Sequence, residues 1–256
     1  MRYGLSSWFS EALKSTGWKP GLAADRAWSW LPSQCAICKA WPARAVCDEC
    51  VAAFAQPVHR CPRCALQRPS ASAHCPECLT DPPPWHDALT AVSYQWPWVD
   101  LIAQFKYQAQ PGWSGTLASL MHSAPGVEDA LAQGSLLVPM PMHKLRWAER
   151  GFNPALLLAQ HLSPATTCAD VLWRVRHTPA QRSLPRSERL KNLEGAFQLD
   201  PLKTHLLRDR HVLLVDDVMT TGASLRSATK ALLAAGPASV SILVLARTER
   251  PGTAKN

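Results

Sequence analysis

After about residue 88, apolar positions alternate between segments with a strand-like period and segments with a helix-like period. Short apolar runs predict strands, and apolar residues three or four positions apart predict amphipathic helices. The pattern predicts strands at residues 88–94, 135–141, 169–175, 211–217 and 239–247. It predicts helices at residues 98–107, 113–122, 153–162 and 222–236. Strands that alternate with helices indicate an α/β domain with a mostly parallel sheet flanked by helices.

The predicted strand at 211–217 ends on two adjacent carboxylates, Asp216 and Asp217. Ligands of parallel sheets bind beyond the carboxyl ends of the strands, and like charges are tolerated together when a ligand meets them. The predicted helix then begins within the sequence Thr-Thr-Gly-Ala-Ser, residues 220–224. A helix start of this kind favours an anion, whereas carboxylates suit sugar hydroxyls or Mg²⁺. A ribose 5-phosphate meets both demands; a helix cap beside an exposed charge is the alternative.

Ahead of this domain, eight of the nine cysteines form four C-x-x-C pairs. A pair of such knuckles makes a closed, structural zinc site. Sequential pairing predicts one site from Cys35, Cys38, Cys47 and Cys50 and a second from Cys61, Cys64, Cys75 and Cys78. The spacing also allows a crossed arrangement, first pair with third. The ninth cysteine, Cys168, lies alone in an apolar segment and is interpreted as a core residue.

The chain is mildly basic and has the composition of a globular protein, with a formal net charge of +8 and 47% hydrophobic residues. Eight thiolates on two Zn²⁺ ions would lower that charge by four, to about +4. This suits a phosphate-bearing ligand or nucleic acid. No stretch reaches the length of a membrane span, and the N-terminus lacks the apolar core of a signal peptide. We therefore expect a cytoplasmic protein without membrane insertion.

The sequence VLLVDDVMTTGAS, residues 212–224, resembles the motif by which type I phosphoribosyltransferases bind phosphoribosyl diphosphate (PRPP). Together with the cysteine knuckles, the segments at 105–108, 138–162 and 176–197 resemble the ComF family. That family joins zinc-binding cysteines to a phosphoribosyltransferase domain and is linked to DNA uptake in competent bacteria. The resemblance implies a double zinc ribbon at 34–80 and a phosphoribosyltransferase-like domain at 81–256, and it leaves a tryptophan-rich N-terminal segment at 1–33 unassigned.

The resemblance also implies roles for individual residues. Asp216 and Asp217 would hold the ribose hydroxyls and so serve the catalytic step. The 5-phosphate would be held by Thr220, Thr221, Gly222, Ala223 and Ser224. Arg146 and Arg150 would meet the diphosphate together with Mg²⁺, with His143 or Lys144 as substitutes and a weaker case for Lys106. A loop carrying Arg182, Arg186 and Arg189 would close over the site.

Two functions from different classes remain open at this point. In the first, the domain transfers a phosphoribosyl group from PRPP to an acceptor that the sequence does not name, in a role in DNA uptake or utilisation. In the second, it binds PRPP or a related phosphate without turnover, and the ribbons dock single-stranded DNA or a helicase or channel partner.

Overall fold

The computed structural model of the chain describes residues 33–69, 74–176 and 195–249. The tryptophans Trp8, Trp18, Trp28 and Trp30 and the arginines Arg182, Arg186 and Arg189 lie outside the described residues. The chain divides into two compact units, Met1–Cys47 and Asp48–Asn256. The predicted domain boundaries near residues 33 and 80 remain predictions.

The described part of the first unit is a turn built around its cysteines. A β-bridge joins Ser33 to Ala43, and the Lys39 N–H donates to the Cys35 carbonyl at 3.0 Å. Lys39 takes a positive φ of 66°, which closes the turn between the two halves of the bridge. The local chain therefore folds back on itself, as a cysteine knuckle requires.

The second unit carries the regular secondary structure. Its helices are α1 (Asp48–Phe54), α2 (Pro76–Thr80), α3 (Trp98–Tyr107), α4 (Trp113–His122), α5 (Val127–Ala132), α6 (Lys144–Arg150), α7 (Pro154–Leu162) and α8 (Ala223–Leu233). Its strands are β1 (Ala88–Ser93), β2 (Leu136–Pro139), β3 (Leu172–Arg174), β4 (Phe197–Leu199), β5 (His211–Met219) and β6 (Ser239–Arg247). A short 3₁₀ helix spans Thr204–Leu206.

Four of the strands form one parallel sheet in the order β1-β6-β5-β2. Because the strands are parallel, their carboxyl ends lie at one edge of the sheet, where Met219 of β5 pairs with Arg247 of β6. β3 and β4 form a separate antiparallel pair. The predicted α/β class with a mostly parallel sheet flanked by helices is confirmed.

Helices cover both faces of the sheet. Successive residues of a strand face opposite sides, and buried residues occur on both sides of β5, as in Leu213 and Leu214. Leu214 belongs to the core that α8 and the β3–β4 pair complete. α4 and α7 pack against each other, and both also contact the sheet. The central strands are therefore buried on both faces, as their continuous apolar runs predicted.

Helix ends follow local sequence chemistry. Asn153 caps α7 by accepting the Ala155 N–H at 3.0 Å, and Pro154 occupies the first turn, where a missing N–H is harmless. The helix predicted at 222–236 ends at Leu233. Gly236 follows with a φ of +74° and reverses the chain towards β6. In the described residues, no helix is both long and apolar enough to cross a membrane.

Candidate functional site

The eight paired cysteines form two groups, and the pairing is sequential. The groups are Cys35, Cys38, Cys47 and Cys50, and Cys61, Cys64, Cys75 and Cys78. In each group the sulfur atoms all lie within 4.8 Å of one another. The alternative pairing of first with third knuckle is thereby excluded.

The sulfur geometry fits a tetrahedral zinc ion in both groups. With Zn–S bonds of about 2.3 Å, neighbouring sulfurs of a tetrahedral site lie about 3.8 Å apart. The Sγ atoms of Cys38 and Cys47 are 3.6 Å apart, and those of Cys64 and Cys75 are 3.5 Å apart. Each group offers a full set of four ligands, so either could hold one structural Zn²⁺ with no position left for a substrate.

Backbone N–H groups favour the ionised form of one cysteine in each group. The Cys75 N–H donates to the Cys61 Sγ at 3.3 Å, and the Cys47 N–H donates to the Cys35 Sγ at 3.4 Å. Burial works against ionisation, but these N–H donors outweigh it and lower the pKa of Cys35 to about 6 and of Cys61 to about 7. Because thiolates are the metal-binding form, these thiols favour a cation at neutral pH.

The ninth cysteine has no such environment. Cys168 is half-buried and packs against the main core. Burial, followed by the nearby Asp170 carboxylate, raises the pKa of its thiol. A thiol held in its neutral form is a poor nucleophile, in agreement with its interpretation as a core residue.

The acid pair, Asp216 and Asp217, lies inside β5, because the strand continues past both residues to Met219. Although consecutive strand residues point to opposite faces, both acids raise the pKa of Lys106, so both carboxylates lie near one ammonium group. Asp217 is 8% exposed and belongs to the buried polar residues. The Asp216 carboxylate accepts the Asp217 N–H at 2.9 Å. The pair is thus held rigidly by the central strand of the sheet.

Lys106 supplies the countercharge to Asp217. Its Nζ lies 2.9 Å from the Asp217 Oδ1, and both side chains are largely buried. Burial disfavours the ammonium, but the Asp217 charge outweighs it and raises the pKa of Lys106. The residue that the resemblance ranked last is therefore the direct partner of the acid pair.

Arg174, at the end of β3, is a second cation that acts electrostatically on Asp216, after Lys106. Burial, then the charge of Arg146, lowers the pKa of the Arg174 guanidinium, while Asp216 raises it. Burial, then the charge of Asp217, raises the pKa of Asp216 to about 7. Lys106 and Arg174 both oppose that rise. The site is therefore an acid pair surrounded by cations from distant parts of the chain.

Arg146 and Arg150 belong to the helix α6, in a segment for which the apolar pattern predicts no element. Residues 144–150 contain good helix formers without an apolar stripe, which explains why the pattern missed the helix. His143 caps it, its side chain accepting the Leu145 N–H. The Arg150 guanidinium stacks 5.2 Å from the ring centroid of Tyr107, next to Lys106. Both arginines thus approach the group of charges around the acid pair.

The loop between β5 and α8 completes the site. Thr220 and Thr221 are exposed, and the Ala223 N–H donates to the Thr221 Oγ1 at 3.4 Å. The first N–H groups of any helix lack intrahelical acceptors, and those of α8 begin at Ala223, shortly after the end of β5 at Met219. Residues Met219 to Ser224 are called the phosphate loop, because the resemblance of the sequence implies a phosphate at this segment.

Gly222 is required by the backbone of the phosphate loop. Its φ of +74° is strained for residues with a Cβ, and a Cβ added there would lie 3.3 Å from the Cη2 of Trp85. Trp85 is buried, and its indole Nε1 donates to the Arg63 carbonyl. The loop therefore rests on a tryptophan that is itself held by the segment between Cys61 and Cys64.

Sequence reasoning missed three residues around this site: Arg174, Trp85 and Arg247. Arg247 is 6% exposed and hydrogen-bonds to backbone carbonyls of the phosphate loop. A charged residue that ends a buried strand is a usable signal, and Arg247 fits it. Trp85 follows the proline run at 82–84 and has no distinguishing pattern.

Comparison with known proteins gives three consistent relationships. Residues 148–256 match the family model described as phosphoribosyl transferase domain. The chain is 32% identical over 231 residues to the DNA utilization protein YhgH of Salmonella typhimurium, covering 85% of this chain and 98% of the relative. It is 35% identical over 195 residues to Competence protein F of Haemophilus influenzae, covering 73% of this chain and 84% of the relative.

A more distant relative matches part of the chain. Competence protein ComFC of Bacillus subtilis is 37% identical over 121 residues, which covers 44% of this chain and 45% of the relative.

Proposed function

Because the chain belongs to the ComF family, we propose that its phosphoribosyltransferase-like domain binds PRPP, or a related ribose phosphate, together with Mg²⁺. The observation that carries this proposal is the acid pair of β5, which lies against the largely buried Lys106 directly before the phosphate loop. Such a site offers carboxylates to sugar hydroxyls and N–H groups to a phosphate. A nucleotide without a ribose 5-phosphate would leave one half of the site unused.

In this proposal, Asp216 and Asp217 accept hydrogen bonds from the ribose 2- and 3-hydroxyls. Residues Thr220, Thr221, Gly222, Ala223 and Ser224 hold the 5-phosphate. The N–H donors at a helix start suit a phosphate, since the helix dipole places about half a positive charge there. Charge-assisted hydrogen bonds to the carboxylates are roughly twice as strong as neutral ones, which explains why acids stand where amides would also fit.

The cations would serve the diphosphate. Arg146 and Arg150 from α6, with Lys106 and Arg174, provide guanidinium and ammonium groups on the acid pair's side of the phosphate loop. Guanidinium forks match phosphate oxygens. Mg²⁺, when bound, would neutralise diphosphate oxygens and accept carboxylate ligands. Lys106 would be released in part from Asp217 as the hydroxyls arrive.

If transfer occurs, the bond between the anomeric carbon and the diphosphate oxygen breaks and the diphosphate leaves with the electron pair. A bond then forms from the anomeric carbon to an acceptor nucleophile, which loses its proton. The basic residues stabilise the departing charge. Binding without turnover is the alternative, and measurement of diphosphate release separates the two.

The binding test compares wild-type protein with Asp216→Asn and Asp217→Asn by calorimetry with PRPP and Mg²⁺. Loss of one charge-assisted contact should weaken binding by roughly ten- to a hundred-fold. Asp100→Asn is the matched control, since it removes a carboxylate from an exposed position of α3. Wild-type protein that binds no PRPP, or acid variants that bind like the control, would refute the proposal.

We further infer a role in DNA uptake or utilisation, on the ground that the relatives carry the names DNA utilization protein and competence protein. Binding to single-stranded DNA, directly or through a helicase or channel partner, belongs to this inference. With about +4 net charge after zinc, direct DNA affinity should be weak and should fall with salt at a shallow slope. Uptake of labelled DNA by cells that lack the gene, complemented with wild type or Asp217→Asn, tests the cellular role.

A further inference from the structure

The second cysteine group is joined to the phosphate loop through one buried side chain. The Arg247 Nε donates to the Cys64 carbonyl at 2.8 Å. Its Nη1 donates to the Met219 carbonyl at 2.9 Å and also to the Thr220 carbonyl. One guanidinium thus spans from a metal-ligand residue to the first two residues of the phosphate loop.

The position of Arg247 makes this bridge rigid. The residue ends β6, between β1 and β5, and pairs in register with Ser93 and Met219. Its Nη1 also donates to the Thr248 carbonyl at 2.7 Å, and the Thr248 N–H donates to the Met219 carbonyl at 3.0 Å. Because the Arg247 guanidinium donates to several backbone carbonyls at once, the first residues of the phosphate loop have little conformational freedom.

A second set of contacts, through Trp85, also joins the second cysteine group to the phosphate loop. Arg63, next to Cys64, accepts the Trp85 indole N–H with its carbonyl and donates from its guanidinium to the Trp85 carbonyl. Trp85 in turn lies against Gly222 of the phosphate loop. The knuckle at Cys61 and Cys64 therefore supports the loop from two sides, through Arg247 and through Trp85.

We propose that Arg247 is a positioning residue for the phosphate loop, and that a zinc ion in the second cysteine group sets the loop's conformation through it. The zinc would fix the Cys64 carbonyl, the carbonyl would orient the guanidinium, and the guanidinium would hold Met219 and Thr220. The identity of the loop's ligand rests on the proposed function, whereas the link between the metal group and the loop does not.

Arg60 provides a matched control. It is a second largely buried arginine at the same junction, donating to Glu249, to Ser93 and to the Ala65 carbonyl. None of these acceptors belongs to the phosphate loop. Arg60→Lys and Arg247→Lys make the same chemical change, since lysine keeps the charge but cannot span two acceptors as a guanidinium does.

The first readout is hydrogen exchange of the loop amides without any ligand. We expect Arg247→Lys to speed exchange at Thr220–Leu225 by about tenfold or more, the value of one lost hydrogen bond, and Arg60→Lys to leave it unchanged. Affinity for PRPP with Mg²⁺ should fall about tenfold in Arg247→Lys alone. Unchanged loop exchange in Arg247→Lys, in a folded protein, would overturn the proposal.

The second readout tests the metal. Cys75→Ser removes one ligand and leaves Cys64 and Arg247 in place, so it should lose one zinc and speed loop exchange as Arg247→Lys does. The double variant should exchange no faster than either single variant, because both act through the same bridge. Cys38→Ser, in the first group, should lose one zinc without changing loop exchange. A Cys75→Ser protein that loses its zinc but keeps wild-type exchange would overturn the zinc link.

The two proposals fail separately. Wild-type protein that binds no PRPP refutes the proposed function, while the exchange measurements still decide the link between Arg247 and the loop.

Discussion

The second cysteine group and the acid pair both crowd like charges together, but the chain assembles them in different ways. The four cysteines lie within 18 residues of sequence, Cys61 to Cys78, and form a closed set of ligands. The acid pair draws its countercharges from Lys106, 111 residues away, and from Arg174 on another strand. The first is a local, saturated site that serves stability, and the second is an open site assembled by the whole fold.

The largest effect should come from breaking the closed site. Cys61→Ser removes a fully buried ligand, and structural zinc contributes apparent binding free energies of about 10–16 kcal/mol in small domains. We expect zinc per chain to fall from two to one and the thermal unfolding midpoint to fall markedly. Elemental analysis and calorimetric unfolding measure both. Purified wild-type protein with one zinc or none would contradict the two-site assignment.

Gly222→Val should abolish ligand binding at the open site. The substitution forces a Cβ into a φ of +74° and against Trp85, and left-handed backbone costs about 1–2 kcal/mol for residues with a side chain. Gly236→Ala is the control, because Gly236 has the same φ of +74° with nothing within 4 Å. Calorimetry with PRPP and Mg²⁺ should show binding lost in the first variant and kept in the second. Equal binding by both would show that the loop tolerates a side chain.

The ion pair at the open site should contribute to folding as well. Lys106→Met leaves Asp217 buried without its partner, and breaking one side of a buried pair typically costs about 3 kcal/mol. Adding Asp217→Asn should recover part of this loss, because the two residues are coupled. Repulsion between the adjacent acids, taken alone, predicts that Asp217→Asn is more stable than wild type. The contact with Lys106 predicts that this single variant is less stable than wild type.

The more exposed pair of Lys203 with Asp170 serves as the control for this cycle. Asp170→Asn should cost about 0–1 kcal/mol, as exposed pairs do. Urea unfolding of each variant gives the comparison. A Lys106→Met protein as stable as Asp170→Asn would show that the buried pair contributes little.

The sequence predicted the closed cysteine site more fully than the site around the acid pair. The cysteine spacing gave both ligand groups, and the apolar periods gave the main strands and helices to within a few residues. Several elements were missed because they are short or lack an apolar stripe, so their stability comes from tertiary contacts rather than from local pattern; they are α1, α2, α5, α6, β4 and the 3₁₀ helix. The contacts of Lys106, Arg174 and Arg247 join elements that are distant in the sequence, which no local spacing encodes.

A further effect expected at the open site is a dependence on pH that comes from Asp216. Burial, reinforced by Asp217, raises the pKa of this carboxyl from 3.8 to about 7. Between those values the folded protein keeps a proton that the unfolded chain has lost, so the free energy of unfolding falls as pH rises. Asp216→Asn should remove this fall and be more stable relative to wild type at pH 8 than at pH 4. Urea unfolding at both pH values measures the difference.

Ligand binding should show the opposite trend, because a carboxylate accepts ribose hydroxyls better than a carboxylic acid does. Affinity for PRPP with Mg²⁺ should rise from pH 6 to pH 8 more steeply in wild-type protein than in Asp216→Asn. The phosphate groups of PRPP also titrate near pH 6. Because this contribution is the same for both proteins, it cancels when the pH profile of Asp216→Asn is subtracted from that of wild type. Identical pH profiles would mean that Asp216 is already ionised at pH 6, and that Lys106 and Arg174 outweigh burial at this position.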